Sequence, residues 1–293
     1  MRLLIIAPGQ YPVPNVKGTS VENCIINIAG RLARRHHVTI VSRKTPQLPP
    51  RSRHGNLTII RVPGGSRAAY LAGVSKAIRG KTFDVIQIDN RPSYLAAVRQ
   101  IFPHTPISLF LHSLTFVTPP MASVRTVRSQ LSAADLIVAN SHSLKKQLTM
   151  RFPAQAKKIR VVHLGVNLAQ FRPPTAAERR KVRKQYRALG KFCIVYAGRF
   201  IPIKGIPQLI RAAEMVHRRV PSARLFLAGG GTSPYAARIR RMARRAKLPV
   251  HLMGYLPRKS VHRAYWLADC LVCPTQGHES FGLVVAEAMA CGT

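Results

Sequence analysis

Acidic side chains are the scarcest feature of this chain: nine Asp and Glu stand against 47 Lys and Arg, a formal charge of +38 over 293 residues. No D-x-D pair occurs, so the usual carboxylate clamp for a metal–diphosphate complex is missing. Long apolar runs are missing too. Leu3–Ala7 and Ile107–Leu111 fall far short of the ~20 residues a membrane span needs. Arg2 is not followed by an apolar core with a small-residue cleavage site, which argues against a signal peptide and makes the cytoplasm the expected compartment. Five cysteines, an odd number, do not suggest a disulfide framework. Cys270 and Cys273 lie in the strand-like "ADCLVCPT", where residues three apart point to opposite faces; they read as small buried hydrophobes, not metal ligands. Aromatics are only 6%, and none interleaves with the basic runs to stack on bases, so no specific nucleic-acid partner is expected.

An apolar content of 46% marks a globular chain long enough for two domains. Strand and helix patterns alternate, which predicts an α/β fold with parallel sheets. The first half offers strands at "RLLIIA", "HVTIVS", "LTIIRV", "FDVIQI", "ISLFLH", "LIVAN" and "IRVV", with helices over Val21–Arg35, Ser93–Phe102 and Ser141–Phe152 among them. The second half restarts with "FCIVYA", "ARLFLA", "VHLM" and "CLVC"; its predicted helices are Lys204–Arg219, Pro234–Ala246, Lys259–Leu267 and Leu283–Ala290. Pro173 and Pro174 interrupt any ladder, and Thr175 can cap a short basic helix ending near Gly190. The expected organisation is therefore a first domain over 1–172, a linker over 173–190 and a second domain over 191–293. The excess of positive charge suits phosphate-rich or anionic partners, such as an acidic membrane surface or polymer, although solvated helix faces would account for it equally.

Two segments carry chemistry. In "IVYAGRFIPIKG" a strand ends at Ala197, and Arg199 and Lys204 flank a loop entering a helix. Strand ends and helix N-termini in parallel sheets bind anions; Arg forks onto two oxygens and Lys adds a point charge, a pairing suited to a diphosphate. In "PTQGHESFGLVVAEAMACGT", Glu279 and Glu287 lie eight apart around a turn, and Ser280 is a candidate cap for the helix beginning near Gly282. Phe281, Gly282 and Leu283 would offer uncommitted amides, and the two carboxylates can accept from vicinal sugar hydroxyls. The run Gly229-Gly230-Gly231 does not complete G-x-G-x-x-G and has no acidic residue about 20 positions later, which argues against a nicotinamide enzyme.

Together with "VVHLGVNLAQFRP", "LFLAGGG" and "HLMGYLP", these segments resemble, in order and spacing, the retaining GT-B glycosyltransferases of family four. "QIDNRPSYL" and "LHSLTF" resemble a spore-coat-associated branch of that family. The resemblance implies two Rossmann-like, doubly wound domains facing a cleft. It also implies a hexosyltransferase-type enzyme that moves a sugar from a nucleoside-diphosphate donor to a glycan, lipid or protein hydroxyl, possessing no cofactor and serving spore-coat or cell-surface polysaccharide synthesis. Position by position, Arg199 and Lys204 match the donor-diphosphate pair, with Gly282 and Leu283 contributing amides. Glu279 matches the residue on the transferred sugar and Glu287 the one holding the ribose. Phe281 borders the sugar, Tyr255 lies where the base is cradled, Gly18 matches the glycine loop approaching the phosphates from the first domain, and His112 matches a histidine touching the donor sugar near the reaction centre. Catalytic roles would thus fall to His112 and Glu279.

Relatives of this type often have two glycines where Gly18-Thr19 stands, and they continue past "EAMACGT" with a further strand and helices. The second domain is accordingly expected to be incomplete, a fragment with little transferase activity of its own. The alternatives are an inactive relative serving as a basic coat or surface-binding protein, and a sugar-nucleotide epimerase on the same architecture.

Overall fold

Continuous apolar runs flanked by helical patterns form strands buried on both faces, because each crossover helix must cover one side of a parallel sheet. The computed structural model, which describes residues 1–15, 20–277 and 279–293, shows two such sheets. The chain divides into two units, Met1–Leu164 and Gly165–Thr293.

The first unit runs β1 (Arg2–Ile6), α1 (Ser20–Leu32), β2 (His37–Arg43), β3 (Arg51–His54), β4 (Leu57–Val62), α2 (Arg67–Ile78), β5 (Val85–Asp89), α3 (Leu95–Ile101), β6 (Ile107–Leu111), α4 (Val124–Ser132), β7 (Leu136–Ala139), α5 (His142–Arg151) and β8 (Ile159–Val161). Its strand order is β3-β4-β2-β1-β5-β6-β7-β8, parallel except for β3 against β4. Strand periodicity explains the two-sided core: Leu4 and Ile6 join Ile86, Ile88 and Leu109 on one face, while Ile5 and Ala7 join Ile25, Ile40 and Ile59 on the other. All seven strands expected in this half are present. The eighth, β3, was not foreseen because "RSRH" has no apolar residue; as an edge strand it pairs on one side only and needs no buried face. Ser141 caps α5, accepting from the Leu144 amide at 3.1 Å.

The second unit runs α6 (Ala176–Gln185), β9 (Phe192–Ala197), α7 (Ile206–Arg219), β10 (Ala223–Ala228), α8 (Pro234–Arg245), β11 (Val250–Gly254), α9 (His262–Leu267), β12 (Cys270–Leu271) and α10 (Leu283–Ala290). Its parallel sheet has the order β11-β10-β9-β12. Ile194 and Tyr196 of β9 face a cluster with Ile206, Ile210 and Ile239, from α7 and α8. Cys193 and Val195 face the opposite cluster, which holds Phe171, Val182, Tyr265, Trp266 and Ala288. Cys270 and Cys273 are free and half-buried rather than buried; β12 ends at Leu271, so Cys273 lies beyond the strand.

That second cluster corrects the expected domain map. The boundary falls at Leu164/Gly165, and 173–190 is no linker but part of the second unit. Phe171 and Ala188 are fully buried, and Arg179 and Arg183 of α6 both reach Asp269 Oδ1, at 2.9 and 2.6 Å. The expected short basic helix is present; its composition concealed that a few apolar contacts and one carboxylate anchor it to the second unit.

The start of α6 carries a pH dependence. Thr175 and Glu178 form a reciprocal capping box, and Arg172 grips Glu178 with two hydrogen bonds of 3.0 and 2.7 Å. The Arg172 hydrogen bonds, with the Thr175 amide second, hold the Glu178 carboxyl at about 2, below its ordinary 4.5. Since the folded value is the lower one, this contribution is complete above about 4.5 and is lost as pH falls toward 2. Glu178→Gln should therefore melt below the parent near neutrality, with the gap closing across that window. A gap independent of pH would remove the assignment.

Candidate functional site

In the second sheet the chain winds outward from β9 through β10 to β11 on one side, then returns to place β12 on the other. The loops after β9 and β12 therefore flank a switch point, where the carboxyl ends of an open parallel sheet leave a crevice. Those two loops carry Arg199, Lys204 and Glu279.

Glycines lock the loops together. A side chain at Gly229 would put its Cβ 1.8 Å from the Gly198 carbonyl oxygen, and one at Gly205 would stand 2.1 Å from that of Pro274. The Gly198 amide donates to Ala228 and the Gly229 amide to Gly254, at 2.9 and 2.8 Å, while Gln276 donates to Ile203 at 2.7 Å. With the loops so close, Lys204 Nζ meets Glu279 Oε2 at 2.5 Å and Thr275 Oγ1 at 3.4 Å. Two expected site residues thus meet as an ion pair. Arg199 stays exposed on the same loop, and no hydrogen bond or ion pair engages its side chain among the described residues. Its backbone carbonyl accepts from the Tyr196 hydroxyl at 2.9 Å, whose pKa burial pushes up.

Both adjoining helices begin alike. The N-cap residues of α7 and α10 are Gly205 and Gly282, left-handed at φ 62° and 79°, with no side-chain cap bond. Ser280 is therefore not the cap of α10, as expected from the sequence; the left-handed turn needs glycine and puts Gly282 in that place. Val285 and Ala286 both donate to the Gly282 carbonyl, so the helix closes on the glycine, and Leu283 and Val284 have no helical carbonyl one turn back. Phe281 precedes this turn, half-buried. Two uncapped helix starts beside Arg199 and Lys204 make an anion cradle.

Gly205→Ala should break this arrangement. The left-handed backbone costs about 1–2 kcal/mol for a non-glycine residue, and the Cβ must also push Pro274 away. Gly190→Ala is the control: φ is 66°, but nothing stands within 4 Å of its Cβ. A larger loss of melting temperature and of nucleotide binding is expected for Gly205→Ala, and equal effects would show that the loop contact is unimportant.

Glu287 stands elsewhere. Its residue is 2% exposed; Oε1 accepts from Arg258 and Oε2 from the Tyr265 hydroxyl at 2.8 Å. Burial, with Glu287 next, pushes the Tyr265 hydroxyl pKa far up. The Arg258 guanidinium also lies 4.7 Å over the Phe171 ring. No hydrogen bond or ion pair joins Glu287 to Lys204 or Glu279 among the described residues. Arg258 and Tyr265 escaped the sequence reading, and no local signal marks them. Tyr255 follows β11 and is 56% exposed. Gly18 lies outside the described residues.

In the first unit, His112 follows β6 and is buried, its Nε2 2.9 Å from Asp89 Oδ1 at the end of β5. Asp89, 1% exposed, also went unrecognised as a functional candidate. Among the described residues no His, Cys, Asp and Glu cluster suits a metal ion, and no helix is long and apolar enough to cross a membrane.

The chain is 28% identical over 304 residues to the Bacillus subtilis protein YtcC, named as a glycosyltransferase, covering all of this chain and 74% of that protein. It is 24% identical over 302 residues to spore coat protein SA of the same organism, covering 100% and 79%. Among solved structures, HepE of Anabaena in complex with UDP-glucose superposes with a TM-score of 0.77 at 20% identity, covering 100% of this chain and 79% of that one. A glycosyltransferase from Rickettsia africae gives 0.78 at 17% identity, covering 99% and 77%; these neighbours share the GT-B fold. The family model described as glycosyl transferases group 1 matches residues 178–293, and that of Glycosyltransferase Family 4 matches residues 21–170, half of the chain. The chain therefore belongs to glycosyltransferase family 4.

Proposed function

We propose that the protein transfers a sugar from a nucleoside-diphosphate donor to a hydroxyl acceptor, with retention of configuration at the anomeric carbon. The observation that carries this reading is the cradle at the β9/β12 switch point: two uncapped helix starts, Arg199 and Lys204 around one crevice. Negative charge develops on the leaving diphosphate in the transition state, and fixed positive groups there lower the barrier without reorganising. Arg199 and Lys204, with the Gly282 and Leu283 amides, would take the diphosphate. Glu279 and Phe281 would contact the sugar, Tyr255 the base, His112 the sugar near the reaction centre, and Gly18 the phosphates. Glu287 would hold the ribose hydroxyls, with Arg258, 35% exposed, moving aside to release it. These cations supply the charge a metal would otherwise bring, so the reaction needs no resident cofactor.

The UDP-glucose bound in the HepE structure makes uridine donors the first to try. Incubation with a panel of nucleotide sugars should release free nucleoside diphosphate, and proton NMR of the product should show the donor's anomeric configuration. Failure to bind any nucleoside diphosphate by calorimetry would overturn the reading. The likeness to spore coat protein SA supports a role in coat or surface polysaccharide synthesis.

The charge supports a peripheral location at an acidic membrane. Among the described residues Asp84, Asp135, Glu178, Asp269, Glu279 and Glu287 are already paired with Lys or Arg side chains of this chain. The outer layer formed by α7 and α8 presents Arg211, Arg218, Arg219, Arg238, Arg241 and Arg245 exposed and without a carboxylate in ion-pair reach among the described residues. Met215, 61% exposed, and Val216 lie among them. Binding to vesicles should rise with phosphatidylserine content and fall as salt shortens the screening length below about 10 Å. Equal binding to neutral and acidic vesicles would remove this role.

A further inference from the structure

Three strand ends hold His112 from several sides. Its ring stacks on Phe110 with centroids 4.5 Å apart, and Nε2 lies 2.9 Å from Asp89 Oδ1. The other Asp89 oxygen accepts from Gln87 Nε2 at 2.8 Å. Asn90, left-handed at φ 58°, accepts the His112 backbone N–H on its Oδ1 at 3.2 Å. Asn140 Nδ2, after β7, donates to the His112 carbonyl at 3.2 Å. Backbone and ring are thus both fixed, and the residue that orients the ring is a carboxylate 1% exposed to solvent.

A carboxylate in contact with an imidazole nitrogen requires the proton to be on that nitrogen, since ionised carboxylates only accept. In the neutral ring the other nitrogen then carries a lone pair. No hydrogen bond engages His112 Nδ1 among the described residues.

We propose that Asp89 is the positioning residue for His112, holding it in the Nε2–H form so that Nδ1 accepts a hydrogen bond from a hydroxyl of the transferred sugar. The proposal rests on the transfer reading for its substrate, but not for the tautomer. A histidine with the opposite proton placement would offer a donor to that hydroxyl and reverse the polarity of the contact. Asp89 acts only through the ring, so its loss should misorient a bound sugar more than it weakens donor binding.

Nitrogen-15 NMR of histidine-labelled protein tests the first half, with the His112 signals identified by their absence in His112→Gln. The expected spectrum shows a protonated Nε2 and an unprotonated Nδ1; a proton on Nδ1 would overturn the proposal. Asp89→Asn tests the second half. An amide no longer imposes the Nε2–H form, and removing a carboxylate that sets a catalytic imidazole tautomer can lower kcat by up to about 10⁴-fold. A fall in kcat of at least about 10²-fold is expected, with donor KM within about threefold, a mixed tautomer spectrum and a near-parental melting temperature. Parental kcat and tautomer in Asp89→Asn would sink the idea. Should that variant fail to fold, the wild-type spectrum still decides the proton placement. Absence of sugar transfer from every donor, with the Nε2–H spectrum intact, would remove the proposed function while the Asp89 pairing stands.

Discussion

Lys204→Ala should lower sugar-transfer turnover by about 10²-fold or more, the typical loss when one preorganised group facing the transition-state charge is removed. It should also act differently from Arg199→Ala, because the two cations have different surroundings. Lys204 is paired with Glu279, whereas the Arg199 side chain is exposed. Removing Lys204 leaves the carboxylate facing the incoming diphosphate and adds repulsion to the lost attraction. UDP binding, measured by calorimetry, should therefore fall further for Lys204→Ala than for Arg199→Ala. Glu279→Gln should bind UDP at least as tightly as the parent while losing transfer, since it removes the competing charge together with the sugar contact. Near-parental turnover in both cation variants would show that the diphosphate does not sit here.

Arg258→Ala should destabilise the second unit by about 3 kcal/mol, the lower end for breaking a buried ion pair, because Arg258 is a third exposed and water can partly replace it. The cost arises from Glu287, whose side chain is only 3% exposed and would keep a charge with one remaining partner, the Tyr265 hydroxyl. Stabilities of whole domains are only about 5–15 kcal/mol, so such a loss is large. Chemical denaturation should show it, and Arg258→Met combined with Glu287→Gln should recover much of it by removing the unpaired charge. An unchanged midpoint in Arg258→Ala would mean that Glu287 is solvated in solution, which would also make it freely available to a ribose.

Much of the fold was legible because its signal is local. Leu4, Ile5 and Ile6, or Ile194, Val195 and Tyr196, are consecutive apolar residues that only a strand covered on both faces can bury. Ser141 and Thr175 announced their helices through hydrogen bonds spanning three residues. The edge strand β3 escaped because its polar side chains carry no burial pattern, and α6 was taken for a linker because proline and charge outweighed Phe171 and Val182.

The site divides the same way. Sequence by itself determined the residue types and their loops: Arg199 and Lys204 after one strand, Glu279 and Gly282 after another. Those placements depend only on spacing from strand and helix ends. Tertiary structure alone decided who faces whom. Lys204 meets Glu279, 75 residues away, because β12 returns beside β9 and Gly205 lets the loops touch. Glu287 is drawn inward by Arg258 and Tyr265, and His112 is tied to Asp89 by the adjacency of β5 and β6. Short-range hydrogen bonding and periodicity are written along the chain, whereas the partner of a charge is chosen by strand order and by the close approach of loops that only the folded sheet creates.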